Sequence, residues 1–264
     1  MEPKPTTTII REPQVYLVGR QAIDDAALGQ FLADHHAEHW TTDTEEAGQK
    51  LIEVAGRLCY MSFARPRPGG NKTYISHLLE VGHGSVLEHA VFNFIITGVS
   101  RSFTHELVRH RAGFGYSQLS QRFVDESECA FVEPDVIATD PELHKLWLEA
   151  ISTSQRAYRL LAEGLTAKFS SLEDKTLRRK KAREAARSVL PNATETKIFV
   201  TANARSLRHF VEMRADPAAE VEIRKVAVKV LRLLQADSPS LFGDYTIIDL
   251  PEGGQSATTK HKKV

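Results

Sequence analysis

The chain has 264 residues, 42% of them hydrophobic and 26% charged, which suffices for one large or two small globular domains. Lysine plus arginine equals aspartate plus glutamate at 34 each, so net charge offers no general attraction to nucleic acid or membranes. No apolar run approaches the roughly 20 residues that span a bilayer. Because residues 1–14 lack the apolar core of a signal peptide, we expect a cytoplasmic protein.

The first half of the chain mixes strand and helix patterns after a polar segment, residues 1–12, that is predicted to be disordered. Leu51, Val54, Ala55 and Leu58 recur at the spacing of one helical face. The elements predicted here are a strand at 14–18, a helix at 45–60, a helix that ends at Gly82, a strand at 90–97, a helix at 101–110 and a short strand at 129–132.

The second half is predicted to be mainly helical. Asp140 before Pro141 predicts the start of a long helix that ends at Gly164, and Asp216 before Pro217 predicts the start of another. Between them the sequence predicts a basic helix at 173–189, a strand through Ile198, Val200 and Ala202, and a helix capped by Asn203. The buried side of the first long helix is predicted to carry Leu143, Leu146, Trp147, Ala150, Ile151, Ala157, Tyr158 and Leu161.

These elements favour an α+β fold, because strands and helices do not alternate regularly as they do in a doubly wound fold. We therefore expect a mostly antiparallel sheet flanked by several long helices. Residues 13–251 are expected to form a single catalytic domain. Residues 252–264 have no apolar periodicity and are predicted to be a disordered tail.

A cationic triplet, Arg109 to Arg111, precedes a glycine-containing loop and a polar run that ends at Arg122. The planar guanidinium fork suits phosphate and carboxylate, and backbone next to glycine can approach a ligand closely. Cations at the end of a helix also complement its dipole, which is the simpler explanation of one or two of them. That explanation leaves Ser117, Gln118 and Ser120 unaccounted for, so an anion-binding role remains open.

A second cluster runs from Asn203 to Asp216. Arg205 and His209 are one helical turn apart, and Asn203 is placed to leave backbone N–H groups at the helix start, where a phosphate could dock. The alternative is a solvated basic helix face. The residues alone are compatible with both interpretations, a phosphate-binding site and a solvated helix face.

Other patterns are weaker indications of chemistry. His83 and His89 could ligate a metal ion but lack a firm third ligand, and residues 35–39 fit H-x-x-E-H on a segment too short for a zinc-protease helix. No metal site is therefore predicted. The basic run at 178–181 could bind nucleic acid, but no aromatic stacking platform accompanies it, so a solvated helix face is the preferred interpretation.

The order and spacing of three segments resemble the signatures of the flavin-dependent thymidylate synthases. The segments are Gly82-His83-Gly84-Ser85, Arg109-His110-Arg111 with the following serine, and Asn203-Ala204-Arg205-Ser206 with the later Arg214-Ala215-Asp216. The resemblance extends over residues 57 to 235. One departure is that eight residues separate Arg111 from Ser120, where the family has seven. The extra residue is expected to be absorbed within residues 112–115.

The resemblance implies conversion of dUMP to dTMP, with methylenetetrahydrofolate as carbon donor and NADPH as reductant of FAD. It also implies a homotetramer with active sites shared between subunits, and Arg214 as the catalytic residue. The implied flavin-binding residues are Ser85, Arg109, His110, Arg111, Gln118, Asn203, Ala204, Arg205 and His209. The implied dUMP-binding residues are Glu106, Leu107, Val108, Arg109, Gln118, Leu119, Ser120, Gln121, Arg122, Arg187 and Arg214.

Two absences bear on this interpretation. Neither a GxGxxG nor a GxxxxGK[ST] pattern occurs, so a nucleotide cofactor would not bind through a Rossmann or P-loop unit. Neither Cys59 nor Cys129 follows a proline as in the cysteine-using thymidylate synthases, so covalent cysteine chemistry is not expected. The alternatives left open are a flavin oxidoreductase without methyl transfer and a protein that binds nucleotides or RNA.

Overall fold

The computed structural model describes residues 7–65 and 68–264. The strands are β1 (Ile9–Ile10), β2 (Gln14–Arg20), β3 (Val91–Ser100), β4 (Phe114–Gln118), β5 (Phe131–Val132), β6 (Glu195–Asn203), β7 (Thr246–Asp249) and β8 (Gln255–Thr258). The helices are α1 (Asp25–Asp34), α2 (Ala47–Leu58), α3 (Gly70–Glu80), α4 (Arg101–Leu107), α5 (Asp135–Ala138), α6 (Pro141–Lys168), α7 (Lys175–Ala186), α8 (Ala204–Arg214), α9 (Val221–Asp237) and α10 (Pro239–Phe242). Short 3-10 turns lie at Gly84–His89 and Arg187–Val189.

The fold is α+β with an antiparallel sheet, which confirms the predicted class. Four strands form one sheet in the order β2-β3-β6-β4. Strands β7 and β8 form a separate antiparallel hairpin, and the two-residue strands β1 and β5 pair in parallel. Within the described ranges, no helix is both long and apolar enough to cross a membrane.

The chain divides into two compact units, and neither is continuous in sequence. The first unit comprises residues up to 14, 96–108 and 117–198, and the second comprises residues 15–95, 109–116 and 199–264. The prediction of a single catalytic domain at 13–251 is not tested by this division and stays a prediction.

In the second unit, helices α8 and α9 pack together and contribute much of the core. Ile223, Val226 and Leu231 of α9 are buried, as the spacing of its apolar residues indicates. Phe92 of β3 packs edge-on against Phe242 of α10, with ring centroids 6.0 Å apart. Helix α9 begins later than predicted: Glu220, not Asp216, accepts the hydrogen bonds of its first N–H groups.

In the first unit, helix α6 packs against α7 and extends beyond its predicted end. Gly164 does not stop the helix, which continues to Lys168. One glycine costs about 1 kcal/mol in a helix interior, which continued hydrogen bonding can outweigh. The predicted buried side is only partly correct. Ile151 and Tyr158 are buried and Trp147 and Ala157 are partly buried, but Leu143, Leu146, Ala150 and Leu161 are exposed.

The C-terminal segment is ordered, so the prediction of a disordered tail at 252–264 is wrong. Strand β8 pairs with β7, and Ala257 N–H donates a hydrogen bond to Ala215 O at 2.9 Å. Thr259 Oγ1 donates to the carboxylate of Asp244. Of the N-terminal segment 1–12, also predicted to be disordered, residues 1–6 lie outside the described part and Ile9–Ile10 form β1.

Candidate functional site

A cavity of about 740 Å³ lies in the second unit and gathers most of the residues predicted to bind flavin. It is bounded by the segment after α4 and by helix α8. The predicted residues that line it are Arg109, His110, Arg111, Asn203, Arg205, His209 and Arg214. Two separate sequence clusters, about ninety residues apart in the chain, therefore meet at one site.

Helix α4 ends at Leu107, three residues earlier than predicted, so the cationic triplet is not part of a helix. The triplet leads into a turn in which Phe114 N–H donates to Arg111 O at 3.2 Å. Gly113 follows with φ of 72°, a conformation that glycine adopts without steric cost. A Cβ atom there would lie 2.1 Å from Ser206 Oγ, so this position also requires the close approach that glycine allows.

The start of α8 is fixed by Asn203, as predicted. Its side chain accepts a hydrogen bond from Ser206 N–H at 2.9 Å, and its own N–H donates to Gly113 O at 3.2 Å. Ala204 N–H donates to Ala90 O at 2.8 Å. The N–H groups of Ala204 and Ser206 already have acceptors within the chain. The sequence suggested that N–H groups at this helix start could dock a phosphate, but these two are not open to one. The side chains around the cavity carry its anion-binding capacity instead.

Arg214 and His110 are hydrogen-bonded inside this cavity. Arg214 Nε donates to His110 Nε2 at 3.0 Å, which requires that ring nitrogen to be unprotonated. Burial, followed by the charges of Arg214 and His209, lowers the pKa of His110 to about 4. The imidazole is therefore neutral at physiological pH and serves as an acceptor that orients the guanidinium of Arg214.

The charge balance of the cavity is positive. Arg109, Arg111, Arg205 and Arg214 line it together with Lys263, whereas Glu88 is the one carboxylate side chain among its lining residues. Glu88 Oε1 accepts a hydrogen bond from Arg205 at 2.6 Å, and both side chains are nearly half exposed. A surface pair of this kind is weak, so the cavity keeps a net attraction for anions.

Ser85 does not line this cavity. It lies at a separate cavity of about 470 Å³ in the same unit, together with Tyr60, Arg65, His77 and His83. Its neighbour Gly84 is packed closely, because a Cβ atom there would lie 3.0 Å from Arg205 Nε. The assignment of Ser85 to a flavin site thus stays a prediction.

Most residues predicted to bind dUMP lie in the first unit. Gln118 Nε2 donates to Thr104 Oγ1 at 3.1 Å and to Thr196 Oγ1 at 3.3 Å, which fixes the amide between α4 and β6. Leu119 N–H donates to Lys197 O at 2.9 Å. Arg122 forms an ion pair with Glu184 at 2.8 Å. The remaining predicted residues of this unit are Glu106, Leu107, Val108, Ser120, Gln121 and Arg187.

The predicted nucleotide-binding residues differ in whether their side chains are exposed enough to contact a ligand. Leu107 is 1% exposed and belongs to the core, as does Ala204 of the predicted flavin set. Glu106, Gln118, Ser120 and Arg187 keep partly exposed side chains. Ser120 Oγ accepts a long hydrogen bond from Arg122 N–H at 3.4 Å, which suits a polar contact residue.

Two charged residues of the first unit, Arg101 and Glu126, lie next to predicted nucleotide-binding residues but were not predicted from the sequence. Arg101 Nη1 reaches Leu119 O at 3.5 Å, and Glu126 is a carboxyl group that is 4% exposed. Burial and the charge of Arg187 lower the pKa of Arg101, while Glu126 opposes that shift. A single arginine and a single glutamate, 25 positions apart in the sequence, give no indication that Arg101 and Glu126 interact in the fold.

The weaker histidine patterns find no support in the fold. Helix α1 ends at Asp34, so residues 35–39 are not helical, and His36 has φ of 55°. Across residues 7–65 and 68–264, no three histidine, cysteine, aspartate or glutamate side chains are grouped to hold a metal ion.

Comparison with known proteins identifies the family. The family model described as "Thymidylate synthase complementing protein" matches residues 41–240. The chain is 51% identical over 235 residues to the flavin-dependent thymidylate synthase of Mycolicibacterium gilvum, covering 88% of this chain and 93% of that protein. It is 49% identical over 222 residues to the enzyme of the same name from Mycobacterium tuberculosis, covering 83% and 88%.

A solved structure shares the fold at lower identity. The crystal structure of the UMP/dUMP methylase PolB from Streptomyces cacaoi, bound with 5-Br UMP, matches with a TM-score of 0.63 and 19% identity, covering 91% of this chain and 96% of that one. The family match spans most of the chain, and the relatives are about half identical over the same region. The chain belongs to the flavin-dependent thymidylate synthases.

Proposed function

We propose that the protein converts dUMP to dTMP, with methylenetetrahydrofolate as carbon donor and NADPH as the reductant of bound FAD. The observation that carries this proposal is the cationic cavity in which a neutral His110 orients Arg214. A cavity built around an arginine with a fixed orientation suits a reaction in which negative charge develops on a heterocycle.

The residues around the cavity suit FAD. Arg109, Arg111 and Arg205 offer guanidinium groups for a pyrophosphate, and His110 lies near His209, with ring centroids 5.9 Å apart. Phe114 lines the cavity and packs against His110 with ring centroids 5.8 Å apart, which gives one wall of the cavity an aromatic character. When bound, FAD supplies the reducing equivalents that methyl formation requires. Asn203 supplies α8 with a fixed start and so holds Arg205 and His209 in place.

Arg214 is proposed as the catalytic residue. Its guanidinium, placed against the edge of a uracil ring, would stabilise the negative charge that appears when the ring is activated. His110 accepts from Nε and thereby holds the plane of the guanidinium fork. Glu106, Val108, Gln118, Leu119, Ser120, Gln121, Arg122 and Arg187 are proposed to bind the nucleotide, with arginines on its phosphate.

The proposed activity is tested with the purified protein, FAD, NADPH, methylenetetrahydrofolate and dUMP that carries tritium at C5. Release of tritium with formation of dTMP, dependent on FAD, is the expected result. A flavin-bound protein that oxidises NADPH without releasing tritium would be an oxidoreductase without methyl transfer. A protein that binds neither flavin nor dUMP would contradict the proposal.

Both cysteines are expected to be dispensable for the chemistry. Burial raises the pKa of the Cys129 thiol to about 12, so it is not a nucleophilic thiolate at neutral pH. Cys59 is exposed and is not among the residues that line the cavity of about 740 Å³ that contains Arg214. The Cys59→Ala/Cys129→Ala variant should therefore form dTMP within about threefold of the wild-type rate. A covalent cysteine–dUMP adduct in the mass spectrum would contradict this expectation.

The proposed assembly is a homotetramer with shared active sites. An apolar surface on α6 supports self-association: Leu143, Leu146 and Leu160 are 48%, 65% and 58% exposed in the single chain. Exposed apolar patches on one face commonly mark protein interfaces.

A soluble cytoplasmic enzyme is proposed, without nucleic-acid partners. In support, Arg178 and Arg183 of the basic helix α7 hydrogen-bond to Leu172 O and Phe123 O of the protein itself.

We expect Leu146→Asp to shift the protein from tetramer to smaller species, because a buried, unpaired carboxylate at an interface costs several kcal/mol. Light scattering measures the mass directly. Ser152→Asp, at an exposed position of the same helix, is the matched control and should leave the mass unchanged. A tetramer that survives Leu146→Asp would place the interface elsewhere.

A further inference from the structure

The first unit contains a buried carboxyl group that the proposed reaction does not use. Glu126 is 4% exposed, and its Oε1 accepts no hydrogen bond from any group in the described part of the chain. Its backbone N–H is engaged with Tyr158 Oη at 3.3 Å, so the main chain at this residue is fixed. An ionised carboxylate is costly in such a place unless charge compensates it.

The compensating charge is Arg101. The two residues interact electrostatically, since Arg101 favours the ionised form of Glu126 and Glu126 in turn opposes the lowering of the pKa of Arg101. Arg101 is itself half-buried and hydrogen-bonds to Leu119 O at 3.5 Å. It also lies within electrostatic range of Arg187. Leu119 and Arg187 both belong to the proposed nucleotide site, so Arg101 and Glu126 adjoin that site.

Glu195 opposes the ionisation of Glu126. Its carboxylate accepts a hydrogen bond from Gly98 N–H at 3.0 Å and pairs with Lys197 at 2.9 Å. Two nearby carboxyl groups of like charge resist simultaneous ionisation. The titratable and charged groups that face Glu126 are Arg101 of α4, Glu195 and Lys197 of β6, Asp125 and Cys129 of its own segment, and Tyr158 of α6.

We propose that Glu126 is a positioning residue that couples a proton to nucleotide binding: its carboxyl is protonated when Arg101 and Arg187 engage the phosphate of dUMP. This inference rests on the proposed function. While Glu126 is ionised, it offsets part of the positive charge of Arg101. A phosphate brought to the two arginines repels that carboxylate and competes with it for Arg101, so binding favours the protonated, neutral form.

The sign of the pH dependence follows from the titration of the free protein. Burial, reinforced by Glu195, raises the pKa of Glu126 to about 7. Below that pH the carboxyl is already neutral and dUMP binds without a proton cost. As the pH rises through this pKa, dUMP binding takes up a fraction of a proton, and the affinity falls. If the bound phosphate raises the pKa by about one unit, the affinity falls by up to about tenfold.

The experiment measures dUMP binding to the flavin-loaded wild-type protein by isothermal titration calorimetry between about pH 7 and 8.5, where the phosphate is mainly dianionic because its second pKa is about 6. Two buffers of different ionisation enthalpy report the protons taken up. We expect uptake of a fraction of one proton near neutral pH, and a dissociation constant that rises about fourfold across this range.

Two variants locate the effect. Glu126→Gln removes the titration with nearly the same shape, so proton uptake should disappear and binding at the upper pH should be tighter than in wild type. Glu128→Gln, at an exposed position two residues away, should behave as wild type. If Glu126→Gln does not fold, the wild-type proton uptake decides alone.

Two results would overturn the inference while leaving the proposed function intact: wild-type dUMP binding without proton uptake, or a pH dependence that Glu126→Gln retains. Absence of dUMP binding at every pH would instead overturn the proposed function, and the inference with it.

Discussion

Arg214→Ala is expected to lower the rate of dTMP formation by about 100- to 1000-fold, which corresponds to about 2.7–4 kcal/mol of lost stabilisation in the transition state. The reason is that Arg214 is the guanidinium that the cavity orients, through the hydrogen bond from Nε to His110 Nε2 at 3.0 Å. The side chain is partly exposed, so its removal should leave the protein folded and able to retain flavin. Single-turnover assays with pre-reduced protein measure the chemical step.

Two variants control this experiment. Arg214→Lys keeps the charge but loses the planar fork, so its rate should lie between those of wild type and alanine. Arg179→Ala removes an exposed arginine of α7 that is not among the residues assigned to the site, and should be as active as wild type. Near-normal turnover of Arg214→Ala would remove this residue from the chemistry.

Asp244→Ala is expected to destabilise the protein by about 3–5 kcal/mol, because it leaves a buried guanidinium without its counter-charge. Arg208 is 2% exposed and donates to both carboxylate oxygens of Asp244, at 2.7 and 2.8 Å. Its guanidinium carbon also lies over the ring of Tyr245, 4.9 Å from the ring centroid. Thermal unfolding should show a melting temperature lower by on the order of 10 °C.

The same pair predicts sensitivity to acid. Burial alone would raise the pKa of Asp244, but the hydrogen bonds and charge of Arg208 outweigh it and hold the pKa below its usual value. A depressed carboxyl pKa contributes stability that is present above the unfolded-state value, near 4, and is lost as the pH falls through the folded-state value. Wild type should lose this contribution in acid, whereas Asp244→Ala lacks it at all pH values. Glu252→Ala, at an exposed position, should melt as wild type does.

Local signals in the sequence were sufficient for elements whose ends are set by neighbouring residues. Asn203 caps α8 and Asp140 caps α6, as predicted, because a short polar side chain satisfies the N–H groups two or three residues ahead. Ile198, Val200 and Ala202 are all buried, since alternation places them on one face of β6. Glycine was a poorer guide, because Gly164 sits within a helix that other interactions prolong.

Features that depend on distant residues could not be predicted this way. The pairing of Arg214 with His110 joins positions more than one hundred residues apart, and no local pattern specifies it. The order of the C-terminal segment depends on Asp244, whose carboxylate binds both Arg208 and Thr259. The composition of residues 252–264 indicated a disordered tail, because composition does not show which distant residues a segment contacts. The resemblance to a family supplied the site residues, but it did not reveal Glu126, whose role depends on burial.

The close contact of Gly113 with α8 limits how this site can be redesigned. A side chain at position 113 would collide with Ser206 and Asn203, and the backbone there has a left-handed conformation. The residue at position 113 and the cap of α8 are therefore coupled, because a side chain at 113 would require Asn203 and Ser206 to move. A mutant library that varies position 113 while keeping Asn203 and Ser206 should therefore yield mainly variants in which the start of α8, and with it Arg205 and His209, is displaced.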